Sequence, residues 1–168
     1  DEAALVVVHP GSQLPSRRWP AERFAAVADA LADAGAQIVL TGSAAEAGLT
    51  AAVACAMRAP AQDLAGRTTL WTLGALVERA GLVLCNDTGI SHIAAALGTP
   101  SVVVASGSDV ARWAPTDTRR HRVFWQDMDC RPCGHAVCPI GNACARAIGV
   151  DEVRRAALRG LRAQVASA

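Results

Sequence analysis

Four times along this chain a short apolar run stops at small polar residues and gives way to a helix-like stretch, and this alternation restricts the fold more than any other feature. Leu5-Val6-Val7-Val8 empties into His9-Pro10-Gly11-Ser12, and Gln37-Ile38-Val39-Leu40-Thr41 into Gly42-Ser43. Leu82-Val83-Leu84-Cys85 leads into Asn86-Asp87-Thr88-Gly89, and Ser101-Val102-Val103-Val104 into Ser106-Gly107-Ser108-Asp109. A shorter run, Asp63-Leu64-Ala65-Gly66, falls where a further strand belongs between the second and third of these. Strands joined by helices cross over with one hand, so they form a parallel sheet covered on both faces, an α/β Rossmann-like fold. The content of 52% hydrophobic against 18% charged residues suits strands buried on both sides. Every parallel strand ends at the same sheet edge, so the polar turns gather along one line, where such sheets bind ligands.

The helical stretches carry their own signals. Pro20 suits a first helical position, with Phe24, Val27, Ala28 and Leu31 on one face and Gly35 as the stop. A second helix runs from the Gly42-Ser43 turn to about Arg58. Thr68 or Thr69 caps a third, whose Leu70, Leu73, Leu76 and Val77 face inward. Val123-Phe124-Trp125 reads as a sixth short strand, and Asp151 begins a last helix with Val153, Ala157 and Leu161 on one side.

At 168 residues the chain holds one domain of ordinary size, and a first strand only four residues from the start suggests a segment of a longer protein. A net charge of +1 gives no global field for nucleic acid. No apolar run reaches membrane-spanning length and no signal-peptide pattern opens the chain, which points to the cytoplasm. All sixteen basic residues are Arg. The turns contain neither the P-loop pattern with its Lys nor a GxGxxG, which argues against ATPase and NAD-dehydrogenase chemistry.

The most informative stretch is Cys85 to His92. A buried strand turns directly into a helix there, and the first amides of a helix attract an anion such as phosphate. Thr88 and His92 share a helical face, Gly89 lets backbone approach a ligand, and Asp87 can cap the helix or accept hydrogen bonds from ligand hydroxyls. The plainer alternative is an ordinary capped helix. Ser12 and the pair Arg17-Arg18 lie beyond the end of the first strand, where two arginines serve either an anion or the solvated surface. Glu46 either reaches a ribose hydroxyl or favours the helix dipole. Toward the carboxyl end, Cys130, Cys133, Cys138 and Cys144 form a C-x2-C-x4-C-x5-C array, open to a structural zinc, to disulfides, or to reduced thiols that pack.

Taken in order, His9-Pro10-Gly11-Ser12, Arg17-Arg18-Trp19-Pro20, Leu64-Ala65-Gly66, Asn86-Asp87-Thr88-Gly89 with His92, Ala96-Leu97-Gly98-Thr99-Pro100 and the Cys array resemble the carboxyl-terminal half of the family 9 glycosyltransferases. These are the ADP-heptose:lipopolysaccharide heptosyltransferases and their relatives. The resemblance implies one lobe of a GT-B enzyme: residues 1–168 bind the nucleotide sugar, while an amino-terminal lobe absent from this chain holds the acceptor site and the general base. It implies inversion without a catalytic metal or other cofactor, so that the protein itself neutralises the leaving diphosphate. Carried over by position, Ser12 and the amides of Thr88 and Gly89 hold the diphosphate, and Arg17, with Arg18 the lesser of the pair, adds positive charge. Asp87 binds donor-sugar hydroxyls, His92 supports phosphate or sugar, and Gly42, Ser43 and the 64–68 loop border adenine and ribose. Two departures stand out: Ala44-Ala45 precede Glu46 where relatives place a ribose-binding Glu, and Ala105-Ser106-Gly107-Ser108 replaces an aromatic-Gly-Pro-Thr pattern. The implied partners are an ADP-sugar and a lipopolysaccharide-core acceptor, met at the inner face of the inner membrane. The competing expectations are a nucleotide-binding α/β module without transferase activity and a zinc-clasped structural module.

Overall fold

Alternate residues of each buried run find separate apolar partners, which fixes the runs as strands between two helical layers. The computed structural model describes residues 3–165. Its strands are β1 (Leu5–His9), β2 (Gln37–Leu40), β3 (Gln62–Asp63), β4 (Leu82–Asn86), β5 (Ser101–Val104) and β6 (His121–Phe124). The helices are α1 (Ala21–Asp33), α2 (Ala47–Ala56), α3 (Leu70–Arg79), α4 (Gly89–Leu97), α5 (Val110–Trp113), α6 (Ala143–Ala147) and α7 (Val150–Val165). Val6, Val8, Leu40, Leu84 and Val104 join a core built with α1, α2 and α7. Val7, Val83, Cys85 and Val103 point the other way, onto Val77 of α3 and Ile90 and Ala94 of α4.

All strand pairs are parallel, in the order β3-β2-β1-β4-β5-β6. Strand order therefore reverses between β1 and β4, and chains leaving two such neighbours diverge to opposite faces and open a crevice. In register, His9 stands beside Cys85, so the segment from Pro10 and the segment from Asn86 leave side by side.

Several local expectations shift. β3 is only two residues long, because the Asp63 carboxylate accepts the Ala65 N–H at 2.9 Å and Gly66, at φ +69°, turns the chain over Ala44. Leu70 is 71% exposed rather than inward: it is the first residue of α3 after the Thr69 cap, and Trp71 beside it is 87% exposed. Pro20 is the N-cap of α1, one residue before the first helical position. The sixth strand starts at His121, which pairs with Ser101, and ends before Trp125. Val153, Ala157 and Leu161 are buried on α7 as the spacing requires.

The join between α2 and β3 hangs on one carboxylate. Buried Asp29 of α1 accepts the backbone N–H groups of Arg58 and Ala59 at 3.0 Å each and the Arg58 Nε at 3.3 Å. Burial pushes its carboxyl up, but these donors and the Arg58 charge outweigh that and hold it below the usual value. Its stabilisation is therefore complete above the ordinary carboxylate range and is lost as pH falls through the depressed value. Asp29→Ala should destabilise the chain by about 2 kcal/mol at neutral pH, the scale of a few charged hydrogen bonds. In denaturant titrations the gap from wild type should close as pH drops below about 4; a gap independent of pH would assign the loss to something other than the carboxylate.

Candidate functional site

The crevice between β1 and β4 is organised by a side-chain amide. Asn86 is fully buried at the end of β4; its Oδ1 accepts the Trp19 N–H at 3.0 Å and its Nδ2 donates to the Pro10 carbonyl at 2.7 Å. One residue thus grips both ends of the loop that leaves β1. Trp19 is itself anchored: its ring meets Phe24 edge-on at 5.2 Å and its indole N–H donates to the Ile148 carbonyl at 3.3 Å. The loop bearing Ser12 is therefore held against the start of α4.

At that start the Asp87 N–H donates to the Val104 carbonyl at 3.0 Å, tying β4's exit to β5. Asp87 does not cap the helix. Thr88 is the N-cap, in extended conformation and without a side-chain cap bond, while Ser91 donates from its hydroxyl to the Thr88 carbonyl at 2.7 Å. Gly89 is exposed, with open space where a Cβ would stand. Helix amides left without a side-chain acceptor in this way are suited to an anion. The half-buried Asp87 side chain makes no hydrogen bond or ion pair among the described residues. His92 lies exposed on the first turn, its ring 6.1 Å from that of Trp113 on α5, over which the Arg112 guanidinium sits at 4.9 Å.

Ser12 is 4% exposed, and its carbonyl accepts two hydrogen bonds from Arg18, Nε at 2.9 Å and Nη2 at 2.8 Å. Arg18 is thereby committed to shaping the loop. Arg17 donates from Nη2 to the Cys133 carbonyl at 3.1 Å, and its Nε is buried without a partner among the described residues. The hydroxyls of Ser106 and Ser108, at the exit of β5, share that condition. Arg131 crosses the same turn and donates to the carbonyls of Ala105, Ser106 and Ser108 at 2.8, 3.0 and 2.6 Å.

On the other flank, Ser43 donates its N–H and its hydroxyl to the Glu46 carboxylate at 2.9 and 2.8 Å, a capping box opening the turn before α2. That carboxylate also fills the space a Cβ on Gly11 would need, which is why this position takes glycine. Burial raises the Glu46 pKa, but the Ser43 hydrogen bonds, followed by the charges of His9 and Arg18, bring it below the ordinary value. His9, bonded through Nδ1 to the Thr41 hydroxyl at 3.0 Å, is pushed down by burial against the opposing pull of Glu46. Glu46 is thus a local capping acid beside Gly42 and Ser43, set between the exits of β1 and β2.

In sequence the cysteine array leaves zinc, disulfides and packed thiols open. Among the described residues no group of three or more His, Cys, Asp or Glu side chains could hold a metal. Cys133 is buried with its Cβ and Sγ against Gly107, Cys144 is buried in α6, Cys138 is half-buried and Cys130 is exposed. All are free thiols; burial raises Cys144, with Cys130 and Cys138 adding to the rise. The segment's grip comes from its backbone and from Arg131: the Cys133 N–H donates to the Gly107 carbonyl at 2.7 Å, and the Ser16 N–H to that of Ala136 at 3.1 Å.

Ser12 and the stretch from Asp87 to His92 thus follow the neighbouring strands β1 and β4 at one sheet edge, Gly42 and Ser43 follow β2 beside them, Arg18 holds the Ser12 carbonyl and Arg17 reaches the Cys133 carbonyl. The structuring roles of Asn86 and Arg131 escape a sequence reading, because each acts on carbonyls or amides far along the chain. The nearest available signal is a polar residue, Asn86, continuing an apolar strand.

Comparison with known proteins bears on this arrangement. The sequence model described as "Glycosyltransferase family 9 (heptosyltransferase)" matches residues 1–144. Lipopolysaccharide heptosyltransferase 2 of Escherichia coli K12 is 37% identical over 128 residues, covering 73% of this chain and 36% of that protein. Among solved structures, the family 9 glycosyl transferase of Veillonella parvula superposes with a TM-score of 0.81 at 26% identity, over 97% of this chain and 47% of the other. The E. coli ADP-heptose lps heptosyltransferase II gives 0.82 at 25% identity, over 97% and 48%. The chain thus spans about a third to a half of the proteins it matches.

Asn86→Ala should remove both arms of the clamp and leave the Trp19 N–H and Pro10 carbonyl unpaired, lowering stability by about 3 kcal/mol. Denaturant midpoints with an unchanged slope should report it. A loss under about 1 kcal/mol would mean the loop is held by Trp19 packing alone.

Proposed function

The chain belongs to glycosyltransferase family 9, and on that footing we propose that it is the donor-binding lobe of an inverting transferase that moves heptose, or a related sugar, from an ADP carrier to a lipopolysaccharide-core acceptor. The observation that carries this reading is the crevice at the reversal of strand order, where an uncapped helix start faces a buried Ser12 loop and an idle carboxylate, Asp87. An ADP-sugar offers what those groups lack. Its diphosphate accepts the hydrogen bonds of the Thr88 and Gly89 amides and of Ser12, and its sugar hydroxyls donate to Asp87. Arg17 adds charge to the diphosphate, with His92 at the rim.

In an inverting displacement the bond from the anomeric carbon to the diphosphate breaks as the acceptor oxygen attacks from the opposite side. Negative charge then grows on the leaving phosphate oxygen, where fixed amides and a guanidinium stabilise the transition state more than the ground state. The acceptor site and the general base belong to an amino-terminal lobe outside this chain. The lobe alone therefore binds without turnover, and the whole enzyme works on the cytoplasmic face of the inner membrane without a catalytic metal.

Calorimetry with ADP, UDP and ADP-heptose tests the assignment. ADP should bind more tightly than UDP, and ADP-heptose more tightly than ADP. Asp87→Ala should erase the gain from the sugar while sparing ADP itself. Arg17→Ala should weaken ADP by about 1.5–3 kcal/mol, the scale of a charged hydrogen bond. Equal affinity for ADP and ADP-heptose would favour a nucleotide-binding module without transferase activity, and no binding of either would remove the reading.

A further inference from the structure

The opposite edge of the sheet carries a second concave surface. A cavity of about 650 Å³ opens at the amino ends of β4, β5 and β6, where Leu82, Ser101 and the lead into His121 begin. Its floor is apolar, formed by Leu82, Pro100, Val102 and Ala156. Gly160 of α7 keeps that floor close, since a Cβ there would stand 3.1 Å from Leu82 Cδ1. The walls are basic: Arg119, Arg120 and Arg122 come from the entry to β6 and Arg159 from α7. No carboxylate lines the cavity among the described residues.

The nearby acid, Asp117, is already engaged. Its carboxylate accepts the backbone N–H groups of Arg119 and Arg120 at 3.0 and 3.3 Å and meets the Arg120 Nε at 3.8 Å. Arg120 also lies over Gly98 at the carboxyl end of α4, where a cation answers the helix dipole. Arg119, Arg122 and Arg159 have no side-chain hydrogen bond or ion pair among the described residues. Scattered surface arginines need no counter-charge, because water screens them. Arginines lining one hollow over an apolar floor concentrate positive potential there, and their planar forks match phosphate oxygens.

We propose that this cavity is a second anion site, remote from the crevice at the strand exits, which takes a phosphate ester carrying an apolar group. The phosphate lies among Arg119, Arg122 and Arg159, and the apolar part covers Leu82, Pro100 and Val102. Such chemistry comes either as a soluble phosphate ester or as a phospholipid headgroup with the start of its chains.

Phenyl phosphate and vesicles of phosphatidylcholine with or without phosphatidylglycerol separate these sources. Amide chemical shifts of Gly98, Ser101 and Gly160 should move with phenyl phosphate, and affinity should fall about tenfold or more in Arg122→Glu/Arg159→Glu at unchanged thermal stability. Silence with phenyl phosphate but co-sedimentation with phosphatidylglycerol vesicles, lost in the double variant, assigns the site to headgroups. If charge reversal unfolds the chain, Arg122→Gln/Arg159→Gln reads the same loss. Shifts confined to Thr88 and Gly89, an unaffected variant, or no response to either probe would overturn the proposal. Because the cavity and the crevice lie at opposite sheet edges, ADP binding can fail or hold independently of this result.

Discussion

A single buried amide holds the working edge of this molecule together. Asn86 is the last residue of β4, and both ends of its side chain are used, one on the Trp19 N–H and one on the Pro10 carbonyl. A buried polar group left unpaired costs about 1–3 kcal/mol, so the amide fixes register as well as distance. Sliding the loop by one residue would orphan a donor and an acceptor together. The loop from β1 and the start of α4 thus keep a fixed relation before any ligand arrives, which is the condition under which backbone amides act on charge without reorganising.

The parallel sheet gives its two edges opposite electrostatic characters. Helices follow strands, so the strand exits collect helix amino ends, and the strand entries collect helix carboxyl ends. At the exit edge stand the start of α4, without a side-chain cap, and the positive charges of Arg17 and Arg18. At the entry edge Gly98 closes α4 in the left-handed conformation, and Arg120 sits against that negative end. Part of the arginine charge there answers the helix, and the remainder, on Arg119, Arg122 and Arg159, exceeds what one helix end can balance.

Strand positions were readable because burial on both faces demands continuous apolar runs, and Val6-Val7-Val8 or Leu82-Val83-Leu84 have no other use. The gathering of Ser12, Thr88 and Gly89 followed from parallel topology alone. What the chain order conceals is contact between distant segments. Leu70 satisfies a helical apolar period yet is exposed, because nothing in a local pattern says whether the first turn of α3 meets another element. The cysteine array shows the same limit. Spacing fixes which thiols are near in sequence, but Cys133 is drawn under the β5 exit by its own N–H while Cys130 stays at the surface.

That strap also explains why the β5 exit can depart from the aromatic-Gly-Pro-Thr pattern. Proline and a large ring stiffen a turn from within, whereas Ala105-Ser106-Gly107-Ser108 is stiffened from outside, by three carbonyl bonds from Arg131 and one from the Cys133 N–H. Gly107 is needed because Cys133 packs where its Cβ would be. The carbonyls are thus spoken for, while the hydroxyls of Ser106 and Ser108 and the Nε of Arg17 are buried without a partner among the described residues. Three such groups in one neighbourhood carry a desolvation cost that carbon side chains would avoid. A turn held by its carbonyls keeps its hydroxyls unspent, and the same strap that engages Nη2 of Arg17 through the Cys133 carbonyl leaves its Nε buried without a partner among the described residues.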